Sequence, residues 1–380
     1  MRRRGFGAAA VVAAITVLGA CSPAADTGRP PSTTPPAPAA SGTPGSGSSG
    51  SPAAVLGQPQ SVATGLDAPW SVVPMPGGER LVSQRDDGEI VEVSADGAKR
   101  SVGAVPDVVS GGEAGLNGIA VWRGEGGTWL YAYHATQADN RVVRMPLLGA
   151  AGSYRLGAPE VVIDGIHRAS FHNGGRIAFG PDGMLYVTTG DAGDGTASQD
   201  RESLNGKTLR LTPTGAPAPG NPFGSAVYSY GHRNVQGIAW TADGTMWASE
   251  FGQNTWDELN VIVAGGDYGW PVVEGRAGDP RFRDPLLQWP TDQASPSGLA
   301  AQGDTLWLAC LRGQRLWRVQ TSVDTVVGGP VAMLQGFGRL RDVVVDADWA
   351  LLVLTNNTDG RGSARDGDDR LLRVETVAAE

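Results

Sequence analysis

The stretch GRIAFGPDGMLYVTTGDAG (residues 175–193) decides the fold of this chain. Two short apolar segments flank the turn Pro181-Asp182-Gly183. Apolar segments on both sides of a tight glycine turn are typical of an antiparallel β-hairpin, not of a helix. The pattern returns at residues 237–252, GIAWTADGTMWASEFG, with Ala242-Asp243-Gly244 in the turn.

Six copies of this pattern are spread along the chain. Repeats that each contain several strands predict an all-β fold, a six-bladed β-propeller. Residues 61–65 are expected to add an outer strand to the last blade and so close the ring. A large β-sandwich is the alternative fold, but it does not explain the repetition. The first strands of the copies begin 44 to 61 residues apart, at Val72, Ile119, Ile177, Ile238, Leu299 and Val343.

The N-terminal residues predict a lipoprotein signal. Three arginines at positions 2–4 precede a short apolar run, and residues 18–21 read LGAC. The apolar run is too short to span a bilayer, so we expect residues 1–20 to be removed as a signal peptide. Cys21 would then be the lipidated first residue, in contact with the membrane through its lipid. A plain secretory signal is the alternative.

The segment after Cys21 predicts a flexible linker. Residues 21–56 are almost entirely Pro, Ser, Thr, Gly and Ala, a composition that cannot bury enough apolar surface to fold. The propeller domain is therefore expected to span residues 57–380, tethered outside the cytoplasmic membrane of a bacterium.

The charge balance excludes some classes of partner. The chain has 30 basic and 39 acidic residues, a formal net charge of −9. An acidic protein is a poor match for nucleic acid or for electrostatic adhesion to anionic lipid. We expect no nucleic-acid partner.

One histidine has unusual neighbours. His172 is one of four histidines in the chain, and it lies beside Asn173 and two glycines just before a predicted strand. A core histidine would normally have apolar neighbours, whereas these residues keep the backbone exposed and bendable. Imidazole titrates near neutral pH, which suits a proton acceptor. Asp191 follows at the end of the next strand.

Four stretches together resemble the glucose/sorbosone dehydrogenase family. They are HNGGRIAFGPDGMLYVTTGD (172–191), YGHRNVQGIAW (230–240), SEFGQNTWDELNVIVAGGDYGWP (249–271) and GRLRDV (338–343). Members of this family are soluble quinoprotein sugar dehydrogenases, six-bladed propellers that use pyrroloquinoline quinone (PQQ) with calcium. The resemblance extends over essentially the whole predicted domain.

The resemblance implies roles for three catalytic residues. His172 matches the general base, which removes the proton from the anomeric hydroxyl of the sugar as hydride leaves C1. Asp191 matches the acid that orients the base. Arg233 matches the arginine near the reactive carbonyls of the quinone, where a cation stabilises developing negative charge.

Further residues are expected to bind the cofactor. Arg339 and Arg341 are two apart, so on a strand they point to the same face and suit the carboxylates of PQQ. Arg312 stands where the family commonly has a lysine that contacts PQQ. Glu113 stands where a sugar-contacting glutamine is usual. These two departures leave the identity of the sugar open, as well as PQQ binding itself.

The resemblance also implies calcium ligands. Backbone carbonyl groups of the turn at Gly252 and Gln253 match the site of the cofactor-bound ion, and Gln253 replaces a frequent proline. Glu258 and the Tyr268 carbonyl match a second, structural calcium position. Calcium prefers such oxygen ligands.

We expect an enzyme that oxidises an aldose to its lactone and passes the electrons to an acceptor in the membrane or envelope. Two alternatives from other classes remain open. One is a non-catalytic carbohydrate-binding lipoprotein on the same scaffold. The other is a calcium-dependent lactonase-type hydrolase, because propellers host that chemistry too.

Overall fold

The computed structural model describes residues 54–124 and 126–378. The predicted signal peptide, Cys21 and most of the predicted linker lie outside the described residues. The strands in the first half of the chain are β1 (Ala54–Leu56), β2 (Gln60–Ala63), β3 (Pro69–Pro74), β4 (Arg80–Gln84), β5 (Glu89–Val93), β6 (Lys99–Ala104), β7 (Leu116–Gly124), β8 (Gly127–Ala135), β9 (Asn140–Leu148), β10 (Arg155–Leu156), β11 (Glu160–Ile166), β12 (Ile177–Phe179) and β13 (Leu185–Thr188).

A single short helix, α1 (Gly195–Gln199), separates these strands from the rest of the described chain. The remaining strands are β14 (Lys207–Leu211), β15 (Val227–Tyr230), β16 (Val235–Trp240), β17 (Met246–Glu250), β18 (Trp256–Ile262), β19 (Leu287–Pro290), β20 (Pro296–Gln302), β21 (Thr305–Cys310), β22 (Arg315–Ser322), β23 (Thr325–Met333), β24 (Leu340–Val345), β25 (Leu351–Thr355), β26 (Leu371–Val374) and β27 (Thr376–Ala378).

These strands form six antiparallel blades, which confirms the predicted six-bladed β-propeller. Blade 1 is β3–β6, blade 3 is β12–β15, blade 4 is β16–β19 and blade 5 is β20–β23. Blade 2 is β7–β9, with β10 and β11 both paired to β9. In the described part of the chain, no helix is long and apolar enough to cross a membrane.

The ring closes through blade 6, as the sequence predicts. This blade consists of β24, β25 and β26 from the C-terminal end, with β2 from the N-terminal end as its outer strand. β2 pairs antiparallel with β26, for example Gln60 with Arg373. Just before it, β1 pairs with β27 and occupies the last three residues of the predicted linker.

The core lies between the blades. Six clusters of buried apolar side chains each join two adjacent blades, and one of them joins blade 6 to blade 1. In β25, Leu351 and Val353 pack toward blade 5, whereas Leu352 and Leu354 pack toward blade 1. Successive side chains of a strand point to opposite faces, so a strand buried on both faces is apolar throughout.

The topology separates two ends of the propeller. The first strand of each blade begins at one end, turns at the other and returns antiparallel as the second strand. Residues just before a first strand and just after a second strand therefore meet at the same end, which we call the mouth. The opposite end, formed by the tight turns, we call the turn end.

Candidate active site

His172 and Asp191 form a hydrogen-bonded pair at the mouth. His172 precedes β12, Asp191 follows β13, and His172 Nδ1 lies 2.7 Å from Asp191 Oδ1. The aspartate is almost fully buried, while 16% of the histidine side chain is exposed. With Nδ1 held by Asp191, Nε2 is the ring nitrogen left to exchange a proton with a ligand.

The backbone around His172 is tightly constrained. His172 has a φ of 54°, in the left-handed region that few residues other than glycine adopt. A Cβ atom on Gly190 would lie 1.9 Å from the His172 carbonyl oxygen, so only glycine fits there. That carbonyl accepts from Ala192 N–H at 3.1 Å. The glycines of this stretch thus allow a close approach of two loops, which fixes the direction of the imidazole.

Asp191 is surrounded by donors. Besides His172, Gly193 N–H donates to its Oδ1 and the Trp270 indole N–H donates to its Oδ2, both at 2.8 Å. Burial by itself raises the pKa of this carboxyl, but the bonds from His172, Gly193 and Trp270 outweigh it and leave the pKa lowered. Asp191 is therefore held as an anion that can stabilise a protonated imidazole.

Arg233 lies beside this pair. Its carbonyl accepts from Asp191 N–H at 2.8 Å, and its guanidinium donates to the Phe251 carbonyl at 3.1 Å. The guanidinium also lies 5.5 Å from the ring centroid of Trp270. Burial lowers the pKa of Arg233, and its Nε has no hydrogen-bond partner. A partly buried cation with an unpartnered Nε suits an anionic or carbonyl-bearing ligand.

The mouth contains a cavity of about 530 Å³. Five of the eleven residues that line it are arginines, and the one acid is Glu113. Such a lining favours a ligand that carries several negative charges. The lining residues are Trp70, Arg85, Glu113, Gln236, Phe251, Ser295, Leu311, Arg312, Arg339, Arg341 and Arg361.

Arg339 directly precedes β24 and Arg341 is the second residue of that strand, and both line this cavity. Leu340 between them is fully buried in the core between blades 5 and 6. Asp359 Oδ2 lies 3.0 Å from Arg339 and 3.7 Å from Arg341, so one carboxylate holds both. Arg339 Nε has no partner. Two guanidinium groups with one anion between them leave a net positive charge for a ligand.

Arg341 is almost fully buried in the floor of the cavity. It donates to Asn356 Oδ1 at 2.8 and 3.0 Å and to Gln236 Oε1 at 3.0 Å. Burial lowers its pKa to about 9, while Asp359 acts in the opposite direction. A bound anion would stabilise its charged form further.

The two departures from the family pattern also lie at the cavity. Arg312 follows β21 and is exposed. The Glu113 carboxylate accepts the His172 backbone N–H at 2.8 Å and lies 3.4 Å from Arg361. It is therefore engaged by the protein itself on both oxygens.

The turn expected to hold calcium is arranged around a carboxylate. The N–H groups of Gln253, Asn254, Thr255 and Trp256 all donate to Glu274 Oε1, at 2.7 to 3.1 Å. In this turn the carbonyl groups of Gly252 and Gln253 are the main-chain groups that could serve as ligands of a cation. Across residues 54–124 and 126–378, no three His, Cys, Asp or Glu side chains cluster as a metal-binding group.

Glu258 and Tyr268 border a small cavity of about 10 Å³, together with Glu250 and Glu274. Glu258 accepts from Asn260 at 3.0 Å and from Gly275 N–H at 2.8 Å. Burial, and then the Glu250 carboxylate, raises the pKa of Glu258. A cavity of this size holds about one water or ion, and a cation there would favour the ionised carboxylate.

The structure adds residues that the sequence did not single out. The Trp270 indole N–H donates to Asp191, and the Trp270 ring faces the Arg233 guanidinium. Asp359 pairs with Arg339 and lies close to Arg341. Arg85 and Arg361 line the cavity. The topology contains a signal for two of them, because Arg85 and Asp359 follow the second strands of blades 1 and 6, as Asp191 does in blade 3.

A six-bladed propeller with an imidazole–carboxylate pair next to an arginine-lined mouth matches one class of proteins. The model of the glucose/sorbosone dehydrogenase family matches residues 66–373, so the chain belongs to that family. This confirms the resemblance found in the sequence.

Solved structures and curated relatives agree. The structure of the PQQ-bound aldose sugar dehydrogenase from Streptomyces coelicolor is 50% identical, with a TM-score of 0.83, over 86% of this chain and 100% of that one. A putative oxidoreductase (glucose dehydrogenase) from Thermus thermophilus is 43% identical, with a TM-score of 0.78, over 84% and 100%. The aldose sugar dehydrogenase YliI of Escherichia coli is 25% identical over 78% of this chain and 89% of its own length.

Proposed function

We propose that this chain is a PQQ- and calcium-dependent dehydrogenase that oxidises an aldose sugar at C1 to its lactone. The observation that carries the proposal is the placement of the His172–Asp191 pair and an arginine-lined cavity at the same end of the propeller. The similar protein from Streptomyces coelicolor is PQQ-bound, which supports the same cofactor here.

The residues present fit PQQ, a flat tricarboxylate. Buried arginine nitrogens without partners, Nε of Arg233 and Nε of Arg339, are what a missing anionic ligand would leave. Arg312, Arg339 and Arg341 would hold the carboxylates, and Arg233 would face the quinone carbonyls. When bound, PQQ supplies the two-electron acceptor for the hydride that leaves C1 of the sugar.

The protein's own residues supply the proton chemistry. Nε2 of His172 would accept the proton of the anomeric hydroxyl while the C1 hydride departs, so the hydroxyl carbon becomes the lactone carbonyl. Asp191 holds Nδ1 and stabilises the imidazolium that forms, because its own pKa is lowered. The cation of Arg233 stabilises negative charge that develops next to it.

Calcium also fits the residues present. The Gly252–Gln253 turn offers carbonyl groups. Glu258 is a buried carboxylate, and burial together with the nearby Glu250 raises the pKa of Glu258. One hard cation would be stabilised by the carbonyl groups of the turn, next to the cofactor, and a second by Glu258 within blade 4.

We place this activity outside the cytoplasmic membrane, with a lipid on Cys21 and residues 21–56 as a spacer. The electrons would pass to an acceptor in the membrane or envelope. Both parts rest on the N-terminal sequence pattern.

The test is reconstitution of the purified protein with PQQ and calcium chloride. We expect a change in the absorbance of the quinone on binding, and reduction of a redox dye when aldoses are added. Omission of calcium should lower the rate at least tenfold. A protein that neither perturbs PQQ absorbance nor reduces dye with any aldose would favour the carbohydrate-binding alternative instead.

A further inference from the structure

Glu113 makes contacts that differ from those of a ligand-binding acid. It lies in the loop between β6 and β7, where Glu113 N–H donates to the Ser170 carbonyl at 2.9 Å. Its Oε2 accepts the His172 backbone N–H at 2.8 Å. Glu113, in the loop that follows blade 1, thus contacts the chain at two points: at Ser170, just before the proposed base, and at His172 itself.

The His172 N–H depends on this acceptor. His172 has left-handed backbone geometry, with a φ of 54°, and lies in no strand. A part-buried N–H group without an acceptor is destabilising and would favour another backbone conformation. Because the imidazole moves with its backbone, the contact also sets the direction of Nδ1 toward Asp191.

Arg361 holds the other carboxylate oxygen. Arg361 Nη1 lies 3.4 Å from Glu113 Oε1, and Arg361 N–H donates to Asp359 Oδ1 at 3.0 Å. Asp359 is the carboxylate between Arg339 and Arg341. Contacts therefore run without a gap from the arginine pair of blade 6, through Arg361 and Glu113, to the base.

We infer that Glu113 is a positioning residue for His172 and that Arg361 holds Glu113 in place, so neither side chain binds the cofactor directly. The inference rests on the proposed function, which makes His172 the base. The Glu113–Arg361 pair joins the loop after blade 1 to the loop between β25 and β26 across the mouth. It also neutralises the one acid of the cavity, which would otherwise repel an anionic ligand.

The first test uses the protein without cofactor. Hydrogen exchange of the peptide that contains His172 should accelerate at least tenfold in Glu113→Ala, because the acceptor is gone. Glu113→Gln keeps an amide oxygen that can accept the bond, so its exchange should change less than threefold. Glu202→Ala, at an exposed acid between α1 and β14, is the matched control and should not alter it. Equal exchange in Glu113→Ala and wild type would overturn the inference.

The second test separates positioning from ligand contact. In protein loaded with PQQ, Glu113→Ala should lower kcat at least 30-fold, while KM for the sugar and Kd for PQQ change less than threefold. Glu113→Gln should lower kcat only two- to fivefold. A tenfold change in PQQ affinity, or a loss confined to KM, would show that Glu113 contacts a ligand and would contradict the inference.

A double-variant cycle tests the pair. Arg361→Met should lower kcat two- to fivefold, and Glu113→Gln/Arg361→Met should be no more than twofold worse than Glu113→Gln, because both changes break one contact. If the kcat losses of the two single variants multiplied fully in the double variant, or if Arg361→Met lost tenfold in PQQ affinity, the inference would be wrong. If the wild type neither binds PQQ nor turns over, the proposed function fails, but hydrogen exchange still decides whether Glu113 positions His172.

Discussion

The two ends of the central channel contrast strongly: all six innermost strands line the cavity toward the turn end, whereas three of them and several loops line the cavity at the mouth. The mouth holds a cavity of about 530 Å³ lined by five arginines and one acid. Toward the turn end a cavity of about 280 Å³ is lined mostly by Val, Ile, Ala, Leu and Phe side chains. A hollow along the axis is thus common to both ends, whereas most of the lining charges occur at the mouth, in loops and next to strand ends.

A buried layer separates the two cavities. Trp70 lines the mouth, and its ring lies 5.7 Å from the Arg341 guanidinium and 4.4 Å from that of Arg176. Arg176 pairs with Asp342 at 3.0 Å at the inner limit of the apolar cavity. The proposed chemistry therefore depends on side chains at the mouth, whereas the Arg176–Asp342 ion pair beneath them belongs to the layer that separates the two cavities.

The largest effect should come from the base. His172→Ala should lower kcat by about 10²–10⁴-fold, because the proton acceptor is lost, while PQQ affinity changes less than threefold. Steady-state dye reduction and quinone titration measure the two quantities. His167→Ala, at an exposed histidine of the same loop, is the control. Full activity in His172→Ala would remove the proposed proton transfer but leave the fold intact.

The Arg176–Asp342 ion pair beneath the mouth cavity should matter for stability. Asp342→Ala leaves the buried Arg176 cation without its partner and the Val72 N–H without its acceptor. The free energy of unfolding should fall by about 3 kcal/mol, measured by urea denaturation without cofactor. Asp348→Ala, where the acid is 81% exposed, should change it by less than about 0.5 kcal/mol. A fall below about 1 kcal/mol would mean that the pair does not stabilise the floor.

A smaller effect is expected for Arg339→Met. Loss of one charged donor should weaken PQQ binding by about 10–100-fold, because a hydrogen bond to a charged group contributes about 1.5–3 kcal/mol. Arg281→Met, at an arginine whose side chain is 68% exposed, should leave PQQ affinity unchanged. Unaltered quinone affinity in Arg339→Met would assign the carboxylates to other residues.

The smallest effect should come from the turn end. Val344→Thr places a hydroxyl in the apolar cavity, far along β24 from Arg339. We expect less than a twofold change in kcat and in PQQ affinity. A larger loss would show that the two ends of the channel are coupled and that the contrast between them is less sharp than the lining suggests.

Much of the site was predictable because its signals are local. The two-residue spacing of Arg339 and Arg341 predicts that both face the same side, and both line the cavity; the glycines around His172 indicate an exposed, bent backbone. The predicted role of Glu113 as a cofactor contact is untested, and the positioning role inferred above is the alternative to it. Its observed partners, His172 N–H and Arg361, are 59 and 248 residues away and have no local signature.

The strands, the number of repeats and the closure of the ring could be predicted from the amino-acid sequence, because alternation and turns are short-range properties of the chain. Which side chains meet at the mouth became visible in the folded molecule. Trp270 donates to Asp191, which is 79 residues away in the sequence, and Asp359 lies between Arg339 and Arg341. Such contacts arise because the blades pack around one axis and the ring brings together loops that are distant in the sequence. No local sequence pattern indicates which of these loops will meet.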